Sequence, residues 1–169
     1  VTGGSAVLAL DDVDADGDQD VIVTNDLANT VTVLLDAGGV LTTSQILPTA
    51  RNPLDVQVAD VNLDGVPDLI VANVLGDVIS IYPGYLGGFA AALQYGTGTG
   101  AGYIAVGDVD GDFDQDLFVT GDPTAGVDAA VLANKVDVPT AAHVVVPVAS
   151  VTAAARRITV TWTCVAAPA

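Results

Sequence analysis

The sequence predicts an all-β protein made of β-propeller-like blades, in three four-stranded repeats of 48 residues that form an open or assembly-completed array. Half of the residues are hydrophobic (51%), but only 5% are aromatic. Valine and alanine are the most abundant residues, and β-branched side chains such as that of valine pack well on a pleated sheet. The other two observations are an internal repeat and an aspartate-rich loop at the same place in each repeat.

The repeat appears as three segments that align without gaps. They read LALDDVDADGDQDVIVTN from Leu8, VQVADVNLDGVPDLIVAN from Val56 and IAVGDVDGDFDQDLFVTG from Ile104. The acidic loops begin at Asp12, Asp60 and Asp108, so both intervals are 48 residues long. Propeller blades and related β arrays have periods of about 40 to 50 residues. The alignment therefore predicts one blade per repeat.

Each repeat is expected to contribute four strands. The repeats fill residues 1–148, at about 6–53, 54–101 and 102–148. The predicted strands are 6–10, 21–24, 30–35 and 41–47, then 54–59, 69–72, 78–82 and 89–95, then 103–107, 117–120, 129–133 and 142–148. Strict alternation in T-V-T-V-L from Thr30 is typical of a strand buried on one face.

The last segment, 149–169, lacks an aspartate loop and contains one further predicted strand, at 157–165. It is interpreted as a C-terminal strand or linker. Two alternatives stay open for it, the start of an immunoglobulin-like domain and a strand that pairs with another subunit.

The charge of the chain is lopsided. There are 21 acidic residues against four basic ones, for a net charge of −17, and every acidic residue is aspartate. Because nucleic acids and anionic membranes bind basic surfaces, we expect neither nucleic-acid binding nor membrane insertion. The chain has a single histidine, His143, and a single cysteine, Cys164, distant from each other in sequence. We therefore expect that the protein is not an enzyme.

The first loop has the oxygen donors of a calcium site. Side-chain oxygens fall at loop positions 1, 3, 5 and 9, which are Asp12, Asp14, Asp16 and Asp20. Alternate residues of a curling loop point the same way, so these carboxylates can converge on one ion. Glycine at position 6 permits a positive φ, and the backbone carbonyl of Asp18 at position 7 adds a ligand. Ca²⁺ takes six to eight oxygens at about 2.3–2.6 Å and tolerates irregular geometry.

The other two loops repeat this scheme with changes. The second offers the side chains of Asp60, Asn62, Asp64 and Asp68 and the carbonyl of Val66, and with one carboxylate fewer it should bind more weakly. The third offers Asp108, Asp110, Asp112 and Asp116 and the carbonyl of Asp114, but Phe113 replaces glycine at position 6. A positive φ there would cost about 1 kcal/mol. Up to three Ca²⁺ ions are predicted, and the third loop is where an ion is least expected.

Two alternatives to calcium loops are weaker. An EF-hand needs glutamate at position 12, where this chain has valine, at Val23, Val71 and Val119. Simple solvated turns would leave several carboxylates repelling each other at short range, and no lysine or arginine lies within any of the loops. A divalent cation is the more economical explanation.

At these residues the chain resembles the FG-GAP/VCBS repeat family, the calcium-loop blades of integrin α-subunit propellers and many bacterial surface proteins. ADVNLDGVPDLIVAN and GDVDGDFDQDLFVTG follow the pattern D-x-[DN]-x-D-G-x-x-D-[LIV], apart from Phe113. The resemblance covers about residues 6–137. It implies propeller blades that hold Ca²⁺ between their first and second strands, through the aspartate and asparagine positions named above. Closed propellers have four to eight blades, so three blades predict a fragment, a ring closed by several copies, or a polymer.

The favoured function is that of an extracellular or cell-surface calcium-binding structural or adhesive protein. It would act through contacts with other protein chains or through self-association, as in a surface filament. One alternative is a carbohydrate-binding module with a glycan partner, to which the aromatic residues Tyr82, Tyr85, Phe89 and Tyr95 are the only hint. The other is a non-catalytic part of a larger secreted enzyme.

Overall fold

A computed structural model describes residue 4, residues 6–97, 100–108 and 113–121, and the backbone of three further strands, Ala130–Asn134, Val148–Ser150 and Ile158–Trp162. Over these residues the chain forms strands and turns and no helix, as predicted. Accordingly, no described segment is a helix able to cross a bilayer.

Sheet 1 is an antiparallel meander of four strands in chain order. They are β1 (Leu8–Asp11), β2 (Asp20–Asn25), β3 (Thr30–Asp36) and β4 (Leu41–Pro48). The turn between β2 and β3 is closed by the side chain of Asn25, which accepts a hydrogen bond from the Ala28 amide at 3.1 Å. Asn29 completes this turn with a positive φ of 53°.

Sheet 2 has the order β10-β7-β6-β5. Its strands are β5 (Pro53–Ala59), β6 (Asp68–Asn73), β7 (Val78–Tyr82) and β10 (Leu93–Gly96), and a small hairpin of β8 (Gly84–Tyr85) and β9 (Gly88–Phe89) lies between β7 and β10. The prediction of one strand over 89–95 is therefore wrong. Gly87 and Gly88 turn the chain with φ values of 101° and 154°, so Phe89 pairs back with Gly84 rather than continuing to β10.

Sheet 3 departs from the simple meander. Its strands are β11 (Ile104–Gly107), β12 (Asp116–Val119), β13 (Ala130–Asn134), β14 (Val148–Ser150) and β15 (Ile158–Trp162), in the order β11-β12-β13-β15-β14. The place beside β13, expected for the strand at 142–148, is held by β15 in parallel register. Most of the expected strand lies outside the described residues, and Val148 opens β14, which pairs with β15.

Sheet 2 lies between two apolar layers. Every residue of β6 is buried, because sheet 1 covers one of its faces and sheet 3 the other. The layer toward sheet 1 contains Val13, Ile22, Val31, Val33, Leu47, Val56, Leu69, Val71, Tyr82 and Phe89. The layer toward sheet 3 contains Val61, Ile70, Ala72, Ile79, Ile81, Tyr95, Ala101, Ile104, Leu117 and Val119.

Polar contacts connect neighbouring sheets where these layers end. The Gln45 side chain accepts from the Phe89 amide at 2.9 Å and donates to the Phe89 carbonyl at 3.3 Å. The Ile104 amide donates to the buried carboxylate of Asp55 at 2.8 Å. These bonds set the position of one sheet on the next, which apolar packing alone does not specify.

Asn73 forms a buried polar junction between sheets 1 and 2. Its amide group donates to the Val71 carbonyl at 3.1 Å and to the Ser80 hydroxyl at 3.0 Å, and its carbonyl accepts from the hydroxyl of Thr49, just after β4. All of its polar atoms are thus satisfied in a site closed to water.

We predict that Asn73→Ala lowers the free energy of unfolding by about 1–3 kcal/mol, because buried groups lose their hydrogen-bond partners. Asn25 is the matched control, since it holds the same repeat position in sheet 1 but is only half-buried. Asn25→Ala should cost less than about 1 kcal/mol. Urea unfolding measures both variants. An equal loss of unfolding free energy in the two would contradict a particular stabilising role for the buried Asn73.

Candidate metal centre

The first acidic loop connects β1 to β2 and curls around its own carboxylates. Asp12 accepts from the amides of Asp16 at 3.1 Å and Gly17 at 3.0 Å. Asp14 also accepts from the Asp16 amide, at 3.2 Å, and Asp16 accepts from the Asp18 amide at 2.9 Å. These short-range bonds hold the backbone of the loop in a curl around the carboxylates of Asp12 and Asp14, at positions 1 and 3.

Left-handed residues at positions 4 and 6 produce this curl. In the first loop they are Ala15 (φ 62°) and Gly17 (φ 96°), and in the second Leu63 (φ 59°) and Gly65 (φ 86°). Phe113 at position 6 of the third loop also has a positive φ, of 72°. Its amide donates to Asp108 at 3.1 Å, which is the bond that Gly17 and Gly65 make to Asp12 and Asp60. The backbone strain expected at Phe113 is therefore present.

We predict that Leu63→Gly and Phe113→Gly each raise the free energy of unfolding by about 1 kcal/mol, because glycine adopts this conformation without strain. Little burial is lost, since Leu63 is 48% and Phe113 86% exposed. Gly65→Ala is the reverse change two residues from Leu63 and should destabilise by about 1 kcal/mol. Chemical denaturation measures all three, and a loss of stability in Leu63→Gly would contradict the strain argument.

Three carboxylates of the first loop could hold a metal ion. Asp12, Asp14 and Asp20 each offer an oxygen, and these oxygens lie within 4.8 Å of one another. Two oxygens bound to one Ca²⁺ at about 2.4 Å are at most about 4.8 Å apart, so the spacing fits a single ion. The hydrogen bonds to these groups do not prevent this, because each carboxylate oxygen can accept more than once.

Asp16 and Asp18 lie outside this group of three carboxylates. Asp18 accepts from the amide of Gly38 at 2.9 Å, in the turn between β3 and β4. Its side chain is thus engaged with the neighbouring hairpin, and the predicted role of its backbone carbonyl as a ligand stays a prediction. Asp16 at position 5 is exposed, and its predicted role as a ligand stays a prediction.

Position 9 has a second role that the sequence did not indicate. Asp20 is fully buried, and it accepts from the amides of Val13 at 2.9 Å and Asp36 at 2.9 Å. Asp68 is also buried, and it accepts from Val61 at 3.1 Å and Gly84 at 2.8 Å.

Asp20 therefore joins its loop to the end of β3, and Asp68 joins its loop to Gly84, at the start of β8 just after β7. The signal in the sequence is faint: Asp36 and Gly84 each follow their aspartate by 16 residues.

The second loop reproduces the first with an amide at position 3. Asp60 accepts from the amides of Asp64 at 3.1 Å and Gly65 at 2.9 Å. Asn62 accepts from Asp64 at 2.8 Å and donates to Asp68 at 3.3 Å. The Asn62 amide group therefore supplies a partial positive charge beside Asp68 and replaces one carboxylate, which is consistent with weaker cation binding. Val66 donates its amide to Asp64 at 2.9 Å.

The third loop is described only in part. Asp110 and Asp112 lie outside the described residues. Asp108 is exposed, whereas Asp114 and Asp116 are buried. Asp116 occupies the start of β12 as Asp20 and Asp68 occupy the starts of β2 and β6.

Two aspartates of the first and second loops have a raised pKa. Loss of water around its carboxylate, together with the charges of Asp16, Asp20 and Asp12, raises the pKa of Asp14. Burial raises the pKa of Asp68 to about 6, against the opposing effect of its bonds from Gly84 and Val61, while the charges of Asp64 and Asp60 raise it further. A bound cation would favour the ionised form of both groups.

Comparison with known families agrees with this geometry. Residues 12–71 match the family model of the FG-GAP-like repeat, and no curated protein matches the chain. The matched segment begins at the first aspartate of the first loop and ends within β6, so it contains both fully described loops. Such repeats are common in extracellular proteins. The resemblance inferred from the sequence is thus confirmed over residues 12–71, which are similar to the FG-GAP-like repeat.

Proposed function

We propose that this protein is an extracellular calcium-binding structural repeat protein that acts through contacts with other protein chains and not through catalysis. The observation that carries the proposal is the group of carboxylates at Asp12, Asp14 and Asp20, whose oxygens lie within 4.8 Å of one another. The loop sequence contains no lysine or arginine to balance them.

The donor set favours calcium over other cations. All of the candidate side-chain ligands are carboxylate or amide oxygens, which Ca²⁺ prefers, whereas Zn²⁺ prefers nitrogen and sulfur. Mg²⁺ requires a near-octahedral shell at about 2.0–2.1 Å and retains several of its waters, which suits an irregular loop poorly. Extracellular calcium is abundant enough to fill sites of modest affinity, down to about 10⁻³ M.

The effect of the ion would be structural. Asp12 and Asp14 belong to the loop, while Asp20 is bonded to the end of β3 through the Asp36 amide. An ion shared by these three side chains would connect the loop to the body of the blade. It would also neutralise charges that otherwise repel. The calcium-bound blade would then present a rigid surface to a partner.

The alternative of a sugar-binding face finds no support in the aromatic residues. Tyr82, Phe89 and Tyr95 are buried in the apolar layers, and Tyr82 donates its hydroxyl to the Pro48 carbonyl at 2.9 Å. Only Tyr85 of the four is exposed. Stacking on a sugar ring needs an accessible aromatic face, which buried residues do not offer.

Calcium titration by isothermal calorimetry tests the proposal. The chain should bind at least two Ca²⁺ ions, and Asp14→Ala should bind one fewer because it removes a carboxylate from the first loop only. Asp26→Asn, in the turn at the other end of the same blade, is the control and should bind as the unmodified chain does. An absence of binding at millimolar Ca²⁺, or equal stoichiometry in Asp14→Ala, would refute the proposal.

A further inference from the structure

Sheets 1, 2 and 3 pack on one another in that order. Strand register assigns each strand residue to one of the two faces of its sheet, which we call the front face and the back face. The front face of sheet 2 contains Val56, paired with Val71, and it packs on sheet 1. The front face of sheet 3 contains Ile104, paired with Val119, and it packs on sheet 2. The equivalent residue of sheet 1 is Leu8, paired with Val23.

Within the described part of the chain, no sheet covers the front face of sheet 1. Leu8 is 61% exposed, whereas the equivalent Val56 and Ile104 are 1% and 6% exposed. Leu10 and Ile46, on the same face, are also more than half exposed. Between β2, β3 and β4 this face forms a groove of about 410 Å³ that is lined by aliphatic and threonine side chains. The exposed surface thus has the composition of an interface.

The polar groups of this face also repeat those of a buried interface. Asn25 and Thr32 line the groove, and they hold the repeat positions of Asn73 and Ser80. In sheet 2 that pair is hydrogen-bonded and fully buried beneath sheet 1, and Asn73 accepts from Thr49 of the preceding repeat. The open face therefore matches the covered one in both its apolar and its polar parts.

The chain also carries the complementary surface. The back face of sheet 1 presents Ile22, paired with Val33, and the back face of sheet 2 presents Ile70, paired with Ile81. All four are buried against the next sheet. In sheet 3 the same register positions are held by Phe118 and its partner Val131. Among the described residues, sheet 3 is the last sheet of the stack. Its back face therefore corresponds to the faces of sheets 1 and 2 that pack on the next front face.

We propose that a second copy of this chain binds the front face of sheet 1 through the back face of its own sheet 3. This inference rests on the self-association part of the proposed function and identifies the surface, but it does not require calcium. The contact is a third occurrence of an interface that the chain forms twice within itself. A head-to-tail contact leaves one front and one back face open, so it closes into a ring or extends into a filament.

Analytical ultracentrifugation in reducing buffer, which prevents disulfide formation through Cys164, tests the proposal. The unmodified chain should associate with increasing concentration, and the double variant Leu8→Ser/Ile46→Ser should weaken that association at least tenfold. Leu27→Ser/Leu75→Ser makes the same change at exposed leucines of the strand-connecting turns and should associate normally. A monomeric unmodified chain, or equal effects of the two double variants, would overturn the proposal.

A mixing experiment separates head-to-tail from face-to-face contact. Phe118→Ser should lose self-association through the back face, with folding checked by circular dichroism. Mixed with Leu8→Ser/Ile46→Ser, it should form dimers, because one intact front face then meets one intact back face. Homodimers of Phe118→Ser alone would contradict head-to-tail contact.

Calcium titration of the same variants keeps this proposal distinct from the proposed function. Association without calcium binding refutes the calcium proposal alone, and calcium binding by a strictly monomeric chain refutes this one alone.

Discussion

Removing calcium is expected to lower the thermal unfolding midpoint by about 5–10 °C for each site that was filled. An ion at 100 times its dissociation constant stabilises the folded state by about 2.7 kcal/mol. In a chain of this size, 1 kcal/mol corresponds to about 2–4 °C. The physical reason is that the carboxylates at Asp12, Asp14 and Asp20 meet only when the loop is folded, so the ion binds the unfolded chain weakly.

Thermal scans in millimolar calcium and in excess chelator measure this effect. Magnesium at equal concentration is the control for ionic screening and should restore little of the lost stability. Asp14→Ala should show a smaller difference between the two conditions than the unmodified chain. Equal midpoints with and without calcium would contradict a structural role for the ion.

The second large effect is expected at the buried aspartate of position 9. Asp68→Ala should lower the free energy of unfolding by about 3–5 kcal/mol, because several buried donors lose one acceptor together. Those donors are the amides of Val61 and Gly84 and the side chain of Asn62. The loss should persist in chelator, since these bonds do not depend on an ion.

Asp64→Ala is the matched comparison within the same loop. Asp64 is exposed and accepts a single bond, from the Val66 amide, so its removal should weaken calcium binding but cost less than about 1 kcal/mol in chelator. Urea unfolding in chelator measures both variants. Similar unfolding free energies for the two variants would show that the hydrogen bonds to Asp68 do not stabilise the blade.

Most strands of the first two repeats could be predicted because their sequence signals are local. Alternation in β3 and the apolar run in β6 each reflect which faces are buried, and both strands are observed within a residue or two of their predicted bounds. The aspartate loops were equally visible, because the same residue types recur at a fixed interval. In these segments, the repeat of the sequence coincides with the repeat of the strands and loops.

Other features depend on contacts between distant parts of the chain. The strand predicted over 89–95 is divided because Phe89 pairs with Gly84 in the β8–β9 hairpin, and its amide also donates to Gln45 of the preceding sheet. The contact with Gln45 joins segments far apart in the sequence, which no local pattern indicates. The left-handed conformations of Ala15 and Leu63 were also missed, because neither residue type favours a positive φ. β15 lies beside β13 because these two strands, which are far apart in the sequence, pair in parallel. Alternation of residue types can identify a strand but cannot identify the strand with which it pairs.

A diffraction structure of crystals grown in calcium-rich solution would show whether the aspartate loops bind calcium. We expect an anomalous scattering peak in the first loop, contacted by oxygens of Asp12, Asp14 and Asp20 at about 2.3–2.6 Å, with an equivalent peak in the second loop. Well-ordered loops that contain only water, with these carboxylates turned outward, would contradict it.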